Sequence, residues 1–347
     1  MKEKLLGMTL GELKAAAASC SLKPFVGAQL ADWLYVKRAV CWEEMTNIGK
    51  QAREALSQRY DLGVAAPAGS AVSSDGTCKY LFPVTCPVPG GGEESSAVES
   101  VVIPDDDRRT LCVSSQAGCR MGCRFCMTGR QGWHGNLSAA DILNQFLSVP
   151  CSRELTNAVF MGMGEPLDNP EAVFRAIEVL TAPWGFGWSP KRITVSTIGV
   201  LPVLRRLLDG QKCHVAVSLH NPFPDERAEM MPVQKAWPLK DVVDLLKQYD
   251  FSGQRRVSFE YTMFDGWNDD KRHADALCRL LRGLECRVNL IRFHSIPDFP
   301  HACASDFAMQ QFRDRLNSNG VLCTIRASRG EDILAACGML AGEHSSR

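Results

Sequence analysis

This 347-residue chain has no apolar run approaching the roughly 18 residues of a membrane span, so no segment reads as transmembrane. It lacks net charge as well. The 39 Lys and Arg balance 39 Asp and Glu, which argues against a protein that holds nucleic acid by bulk charge alone. No internal repeat or low-complexity tract is present. With 45% hydrophobic and 22% charged residues and a mean hydropathy of −0.11, the composition is neither disordered nor collagen-like. The first residues are broken by charge at Glu3 and Glu12 and carry no apolar core of a secretory signal, so a cytoplasmic protein is expected. What stands out is cysteine, 15 in all. An odd count without an export signal does not read as a disulfide scaffold, so some of these residues should be reduced thiols with a chemical role.

The length suggests two domains, or one large α/β barrel with an appendage. Residues 1–62 read as small helices. Thr9 with Glu12 three residues on is a capping pattern for a helix over 10–20. A second helix carries Phe25, Leu30, Trp33 and Leu34, and a third runs over 50–59. Nine Lys or Arg against six Asp or Glu in residues 1–60 leave a mild basic bias, compatible with RNA. Residues 63–109 begin like a linker at Val64-Ala-Ala-Pro-Ala-Gly-Ser. They continue as a β-hairpin whose strands, near Lys79 and Val98, flank the loose loop Pro87-Val-Pro-Gly-Gly-Gly. From 110 to 341, six β-rich runs alternate with helical segments: 110–115, 158–161, 192–197, 214–219, 256–263 and 287–291. This α/β pattern predicts a parallel sheet in a partial (β/α)6 barrel, with an open doubly wound sheet as the alternative.

Directly after the first of these strands comes Cys119-Arg-Met-Gly-Cys123-Arg-Phe-Cys126. Three thiolates on one loop suit three irons of a [4Fe–4S] cluster and leave the fourth iron open. A zinc site with His134 as fourth ligand is the alternative, although zinc sites usually draw on two cysteine pairs. Five arginines (108, 109, 120, 124, 130) and no acidic residue lie between 108 and 140. That suggests an anionic partner or a solvated basic face. Met161-Gly-Met-Gly164-Glu165-Pro closes the second strand, Ser196 the third and Ser218-Leu219-His220 the fourth, where barrel enzymes place their functional groups.

The cysteine loop after the first strand of a partial barrel resembles the radical S-adenosylmethionine (SAM) enzymes. Within them, the chain closely resembles the RNA adenine methyltransferases of the RlmN/Cfr type. The resemblance rests on Cys112 seven residues before the cysteine loop and on Arg329-Gly-Glu-Asp-Ile-Leu-Ala-Ala-Cys337-Gly-Met-Leu near the carboxyl end. Gln131-Gly-Trp, Met161-Gly-Met-Gly-Glu-Pro-Leu, Ser196-Thr-Ile-Gly-Val, Ser218-Leu-His, Pro24-Phe…Gln29…Trp33-Leu-Tyr and Met45-Thr-Asn extend it over roughly residues 8–341. It implies a [4Fe–4S] cluster on Cys119, Cys123 and Cys126, and SAM contacts from Gly164, Glu165, Ser196, Ser218, Leu219 and His220. It also implies methylation of C2 of adenine 2503 in 23S rRNA and of adenine 37 in tRNA. In that mechanism Cys337 becomes S-methylated and, as a methylene radical, joins the RNA, an adduct that Cys112 resolves by forming a disulfide. Glu99, thirteen residues before Cys112, matches the family's proton acceptor. A low-potential electron donor such as flavodoxin, action as a monomer and RNA contacts from Arg120, Arg124, Arg130, Arg255 and Arg256 complete the expectation.

Two departures from the family pattern stand out. His294-Ser-Ile replaces the usual Asn-Pro-Phe, which puts His294 at the SAM position of that Asn. Asn221-Pro-Phe-Pro-Asp-Glu-Arg is longer and richer in proline than usual. The alternatives are C8 methylation by the same machinery, a glycyl-radical activase and a non-catalytic iron–sulfur RNA-binding protein. The activase has no use for Cys112 and Cys337.

Overall fold

The computed structural model describes residues 2–87, 90–253 and 255–342. Its centre is one sheet whose strands lie in sequence order: β1 (Gly69–Val72), β2 (Cys78–Pro87), β3 (Glu93–Asp105), β4 (Arg108–Cys112), β5 (Asn157–Phe160), β6 (Ile193–Thr197), β7 (His214–Ser218), β8 (Val257–Met263), β9 (Arg287–Arg292) and β10 (Leu322–Ile325). From β4 to β10 every pairing is parallel. Before that, β1 to β4 form an antiparallel meander. Each parallel step is made by a crossover, and the chain always advances to the next position, as a singly wound barrel requires. The sheet has two free ends, β1 and β10, so the barrel is open.

The six expected strands are all present, each followed by a helix as the alternating pattern requires, at 139–147, 170–181, 201–210, 239–246, 271–280 and 306–318. The seventh parallel strand, β10, was not expected. Its sequence, Leu-Cys-Thr-Ile, is half exposed at an edge and, at four residues, too short a run to register as a strand. The linker-like stretch enters the sheet as β1, paired with β2 in register Ser70↔Tyr80, because the backbone groups of Lys79 and Tyr80 require partners. The hairpin itself pairs out to Pro87↔Glu93. Of its expected loop, Val88 and Pro89 lie outside the described residues.

Strand β8 shows how the two faces are assigned. Val257, Phe259, Tyr261 and Met263 point outward under the helices, where Tyr261 stacks on Phe312 at 5.2 Å. Ser258 and Glu260 point into the barrel, following the twofold alternation of a strand. Residues from β3 through β9, with Arg326, Ala327 and Arg329 after β10, line one cavity of about 500 Å³, so the sheet curls around a lumen.

The amino-terminal helices occupy Leu10–Ser19, Phe25–Ala31 (extended by a wider turn to Val36) and Lys50–Arg59. The Thr9–Glu12 capping box is complete. Leu13, Leu30, Leu34 and Tyr35 are fully buried in the same continuous core as Leu143 and Phe146 of the helix after the cysteine loop. The Tyr35 hydroxyl accepts from Gly7 N–H and donates to Met8 C=O, while its ring meets Trp184 at 5.8 Å. No helix among the described residues is long and apolar enough to cross a membrane. Because the core is shared, Leu34→Ala should lower the stability of the whole chain by about 2–5 kcal/mol. A thermal melt should show one shifted transition, not a separate early one for the helical module.

Candidate active site

The three thiols of the cysteine loop sit at the carboxyl end of the parallel strands. Cys119 N–H donates to Gly132 C=O at 2.7 Å and Cys126 N–H to Cys123 C=O at 3.2 Å, which folds the loop back on itself. Burial pushes Cys119 up to about 12, and it raises Cys123 and Cys126 as well. A charge on Cys126 would push Cys119 and Cys123 further the same way. Thiolates here therefore need a bound cationic group to stabilise them. Among the described residues no three His, Cys, Asp or Glu side chains converge on the point a single metal ion would take. His134 is turned away, bonded to Glu94 at 2.8 Å. Three separate soft ligands on one loop fit a cluster that offers each its own iron, and do not fit one zinc ion.

Beneath this loop lies Arg227, 1% exposed. Its guanidinium donates to Leu219 C=O and Ser218 C=O at 2.9 Å and to Gln234 Oε1 at 2.5 Å, all neutral acceptors. Cys123 packs in an apolar cluster with Met230 and Met231, which follow on the same segment. A buried cation without a carboxylate partner is suited to an anionic group held on those thiols. Sequence reading missed Arg227. It lies in the lengthened Asn221–Arg227 stretch, whose end forms the short helix Pro224–Met230.

At the end of β5, Gly164 has φ +94°, and a Cβ there would stand 2.5 Å from Gln116 Cβ. Glu165 follows, 4% exposed. Its carboxylate accepts from Leu167 N–H at 3.0 Å and Ile198 N–H at 2.9 Å, tying the end of β5 to the end of β6. Burial raises its pKa to about 7 despite these bonds, so a cation beside it would be favoured. Ser196 shares the lumen face of β6 with Thr194. His220 sits at φ +55° after β7 and accepts from Thr262 N–H through Nδ1 at 3.0 Å, which leaves the proton on Nε2. Burial, then Arg227, lower its pKa to about 3, so it is a neutral donor edge-on to Phe125 at 4.9 Å. Leu219 is fully buried, with its N–H bonded to Glu260 C=O and its C=O to Arg227 and Asn221. Ser218 C=O is also held by Arg227. His294 is buried and reaches Ser328 at 3.1 Å and Glu331 at 3.3 Å, so both ring nitrogens face the carboxyl-terminal segment.

That segment brings Cys337 to the cysteine loop. Met127 N–H donates to Gly338 C=O at 2.8 Å, Thr128 Oγ1 to Leu340 C=O at 2.7 Å and Gln131 Nε2 to Ala341 C=O at 2.6 Å. Cys112, at the end of β4, is pushed to about 12 by burial and by the nearby Cys337. Cys337 is the one exposed cysteine, in a concave setting whose surrounding protein raises its pKa. Glu260 and Cys126 add to this and Arg326 opposes it. Cys112 and Cys337, from the two ends of the barrel segment, thus lie near each other. Glu99 is also close by, 2% exposed, paired with Lys79 at 2.8 Å. Below the thiols the lumen is basic. Lys191, Arg192, Arg256, Arg287 and Arg326 line it with no carboxylate within 4.0 Å among the described residues, and Glu260, bonded to Asn289 at 2.8 Å, marks its inner end.

Residues 113–277 match the radical SAM superfamily model, and residues 3–62 match the "Ribosomal RNA large subunit methyltransferase N-terminal domain". A "Probable dual-specificity RNA methyltransferase RlmN" of Porphyromonas gingivalis is 58% identical over 339 residues, 98% of this chain and 94% of the relative. The "Dual-specificity RNA methyltransferase RlmN" of Syntrophus aciditrophicus is 38% identical over 97% of this chain and 95% of its own. The chain belongs to the RlmN family of radical SAM methyltransferases. The crystal structure of a radical SAM methyltransferase from Sphaerobacter thermophilus superposes with a TM-score of 0.90 at 37% identity, over 98% of this chain and all of the other. As a radical SAM enzyme, the protein uses a [4Fe–4S] cluster and SAM. Gln116, Arg227, Glu260 and Arg326 are site residues that sequence reading left out. Of these, Arg227 ends the Asn221–Arg227 stretch already singled out, and Gln116 lies between Cys112 and the cysteine loop.

Glu165 gives a pH signature. A carboxyl at about 7 when folded, against its ordinary 4.5, favours folding below 4.5, and that contribution is lost as pH rises through 7. Relative to Glu165→Gln, the cluster-free protein should lose up to about 3 kcal/mol between pH 4.5 and 8, at 1.36 kcal/mol per unit. Urea melts at the two pH values measure this difference in slope.

Proposed function

We propose that this protein methylates C2 of adenine 2503 in 23S rRNA and of adenine 37 in some tRNAs. The observation that carries this reading is that the carboxyl-terminal segment, bonded to Met127, Thr128 and Gln131, brings Cys337 near both the cysteine loop and Cys112. Cys119, Cys123 and Cys126 would hold the cluster. Gly164, Glu165, Ser196, Ser218 and His220 would surround SAM, with Leu219 acting through its backbone. When bound, the cluster and SAM supply the methyl group and the one-electron chemistry that activates it. His294 supports the carboxyl-terminal segment instead of standing in for the family's Asn, since both its nitrogens face Ser328 and Glu331.

An sp² carbon of adenine is too weak a nucleophile for direct methyl transfer, so the protein's own thiol takes the methyl first. Cys337 is the acceptor: it is exposed, and Arg326 favours its thiolate. Cys112 is half-buried and held as a thiol until Cys337 sulfur is joined to RNA. Attack by Cys112 then forms the Cys112–Cys337 disulfide and frees the methylated base. Glu99 is the candidate acceptor for the C2 proton. Residues 1–62 serve RNA recognition, 63–109 brace the core, and 110–341 carry the chemistry, in a cytoplasmic monomer fed by a low-potential donor such as flavodoxin. RNA phosphates beside the target base would meet the arginines of the lumen.

With SAM, reductant and RNA, the reconstituted enzyme should make 5′-deoxyadenosine and 2-methyladenine. Mass spectrometry of the digested RNA separates this product from the C8 isomer. Cys337→Ala should abolish methylation, and turnover by that variant would end the proposal. Cys112→Ala should accumulate a protein–RNA adduct, visible as a gel shift that nuclease removes. Arg256→Ala with Arg287→Ala should weaken RNA binding and flatten its salt dependence by about one unit for each phosphate that the variant no longer neutralises. Unchanged filter-binding curves across a salt series would rule out the lumen as the RNA mouth.

A further inference from the structure

Lys79 and Glu99 form a buried ion pair, 7% and 2% exposed, inside a β meander. Strand register accounts for their meeting. Lys79 stands opposite Val101 on β3, and Val101 stands opposite Cys112 on β4. Lys79, Glu99 and Cys112 therefore share one face of three neighbouring strands, with Lys79 and Glu99 as diagonal neighbours. The pair does not close on itself. Lys79 Nζ also donates to Leu334 C=O at 3.4 Å. Glu99 Oε2 accepts from Ala341 N–H at 2.8 Å and Gly342 N–H at 3.2 Å. Cys337 lies between these two attachments in the chain.

The segment needs such fastening, because it has little regular structure of its own. Leu334 is held at φ +54°, a left-handed conformation that a leucine rarely adopts, and its side chain is 51% exposed. The turn between β1 and β2 grips the same segment from outside. Ser73 Oγ donates to Asp332 at 2.6 Å, Ser74 N–H to Asp332 at 3.0 Å and Gly330 N–H to Asp75 at 3.1 Å.

We propose that Lys79 is a positioning residue for Cys337, forming with Glu99 a latch that holds both arms of the Leu334–Gly342 segment so that the Cys337 sulfur faces Cys112. This rests on the reading of Cys337 as the reacting thiol. It adds a role for Lys79 and for the meander. In the latched arrangement both Glu99 oxygens are engaged, Oε1 by Lys79 and Oε2 by the two amides. Three of the roughly four lone-pair sites of the carboxylate are thus taken by the latch.

The test compares Lys79→Gln, Lys79→Arg and the double replacement Lys79→Met with Glu99→Met in the reconstituted holoenzyme. Hydrogen exchange of peptides spanning 334–342 is followed by mass spectrometry. Lys79→Gln should speed exchange at Ala341 and Gly342 at least tenfold and cut kcat at least tenfold. KM for RNA should stay within twofold and the cluster's EPR signal should be unchanged. Lys79→Arg should restore most of the turnover. Should Lys79→Gln not fold, the double variant decides the question, since it leaves no unpaired buried charge. It should show the same fast exchange. Exchange within twofold of the parent in the folded variant overturns the latch, and so does fast exchange with undiminished kcat. Fast exchange in an enzyme whose methylation survives Cys337→Ala would instead overturn the reading of Cys337 and leave the latch standing.

Discussion

A thiol on an irregular carboxyl-terminal segment must be held against a thiol at the end of the first barrel strand, and much of the structure follows from that requirement. A helix would satisfy the segment's backbone groups internally. The stretch from Gly330 to Gly342 has only one short helical turn, so its polar groups are met by partners from elsewhere. The turn after Cys126 supplies Met127, Thr128 and Gln131 on one side. The meander supplies Ser73, Asp75, Lys79 and Glu99 on the other. His294 closes the end nearest β9.

Electrostatics divides the barrel along its axis. At the carboxyl ends of the strands, half-buried thiols and the buried Glu165 carry raised pKa values that a cationic group would stabilise, and Arg227 lies beneath with no acid of its own. At the other end a ring of lysine and arginine opens to solvent. A chain with no net charge thus keeps a concentrated positive mouth, in which lysine and arginine outnumber Asp105 and Glu260. Close to Cys337 the two regimes meet at Glu260 and Arg326, which bias its thiol in opposite directions.

Much of this was legible in order along the chain. The capping box at Thr9, the helical periodicities and the six apolar runs each reflect a local rule, and each element appears within a few residues of its expected place. What local rules could not reach was pairing between distant segments. The stretch from Gly69 looked like a linker because its strand character comes from the β2 edge it satisfies. Leu322–Ile325 joined the sheet because β9 had an open edge. Arg227 and Lys79 drew no role from the sequence, since nothing adjacent in sequence foretells burial of a guanidinium or an ammonium.

The sequence by itself determined the chemistry on offer: three cysteines at a spacing that suits a cluster, two more cysteines in recognisable settings, and strand ends carrying small polar residues. It could do so because ligand spacing within one loop and alternation within one strand are local properties. Only the tertiary structure decided how these groups act on one another. It set Cys337 beside Cys112, turned His294 toward the carboxyl-terminal segment, left His134 out of the thiol site and joined Glu99 to Lys79. Each of these depends on register between strands, or on contact between segments far apart in the chain, and such contacts are set by the packing of the whole sheet.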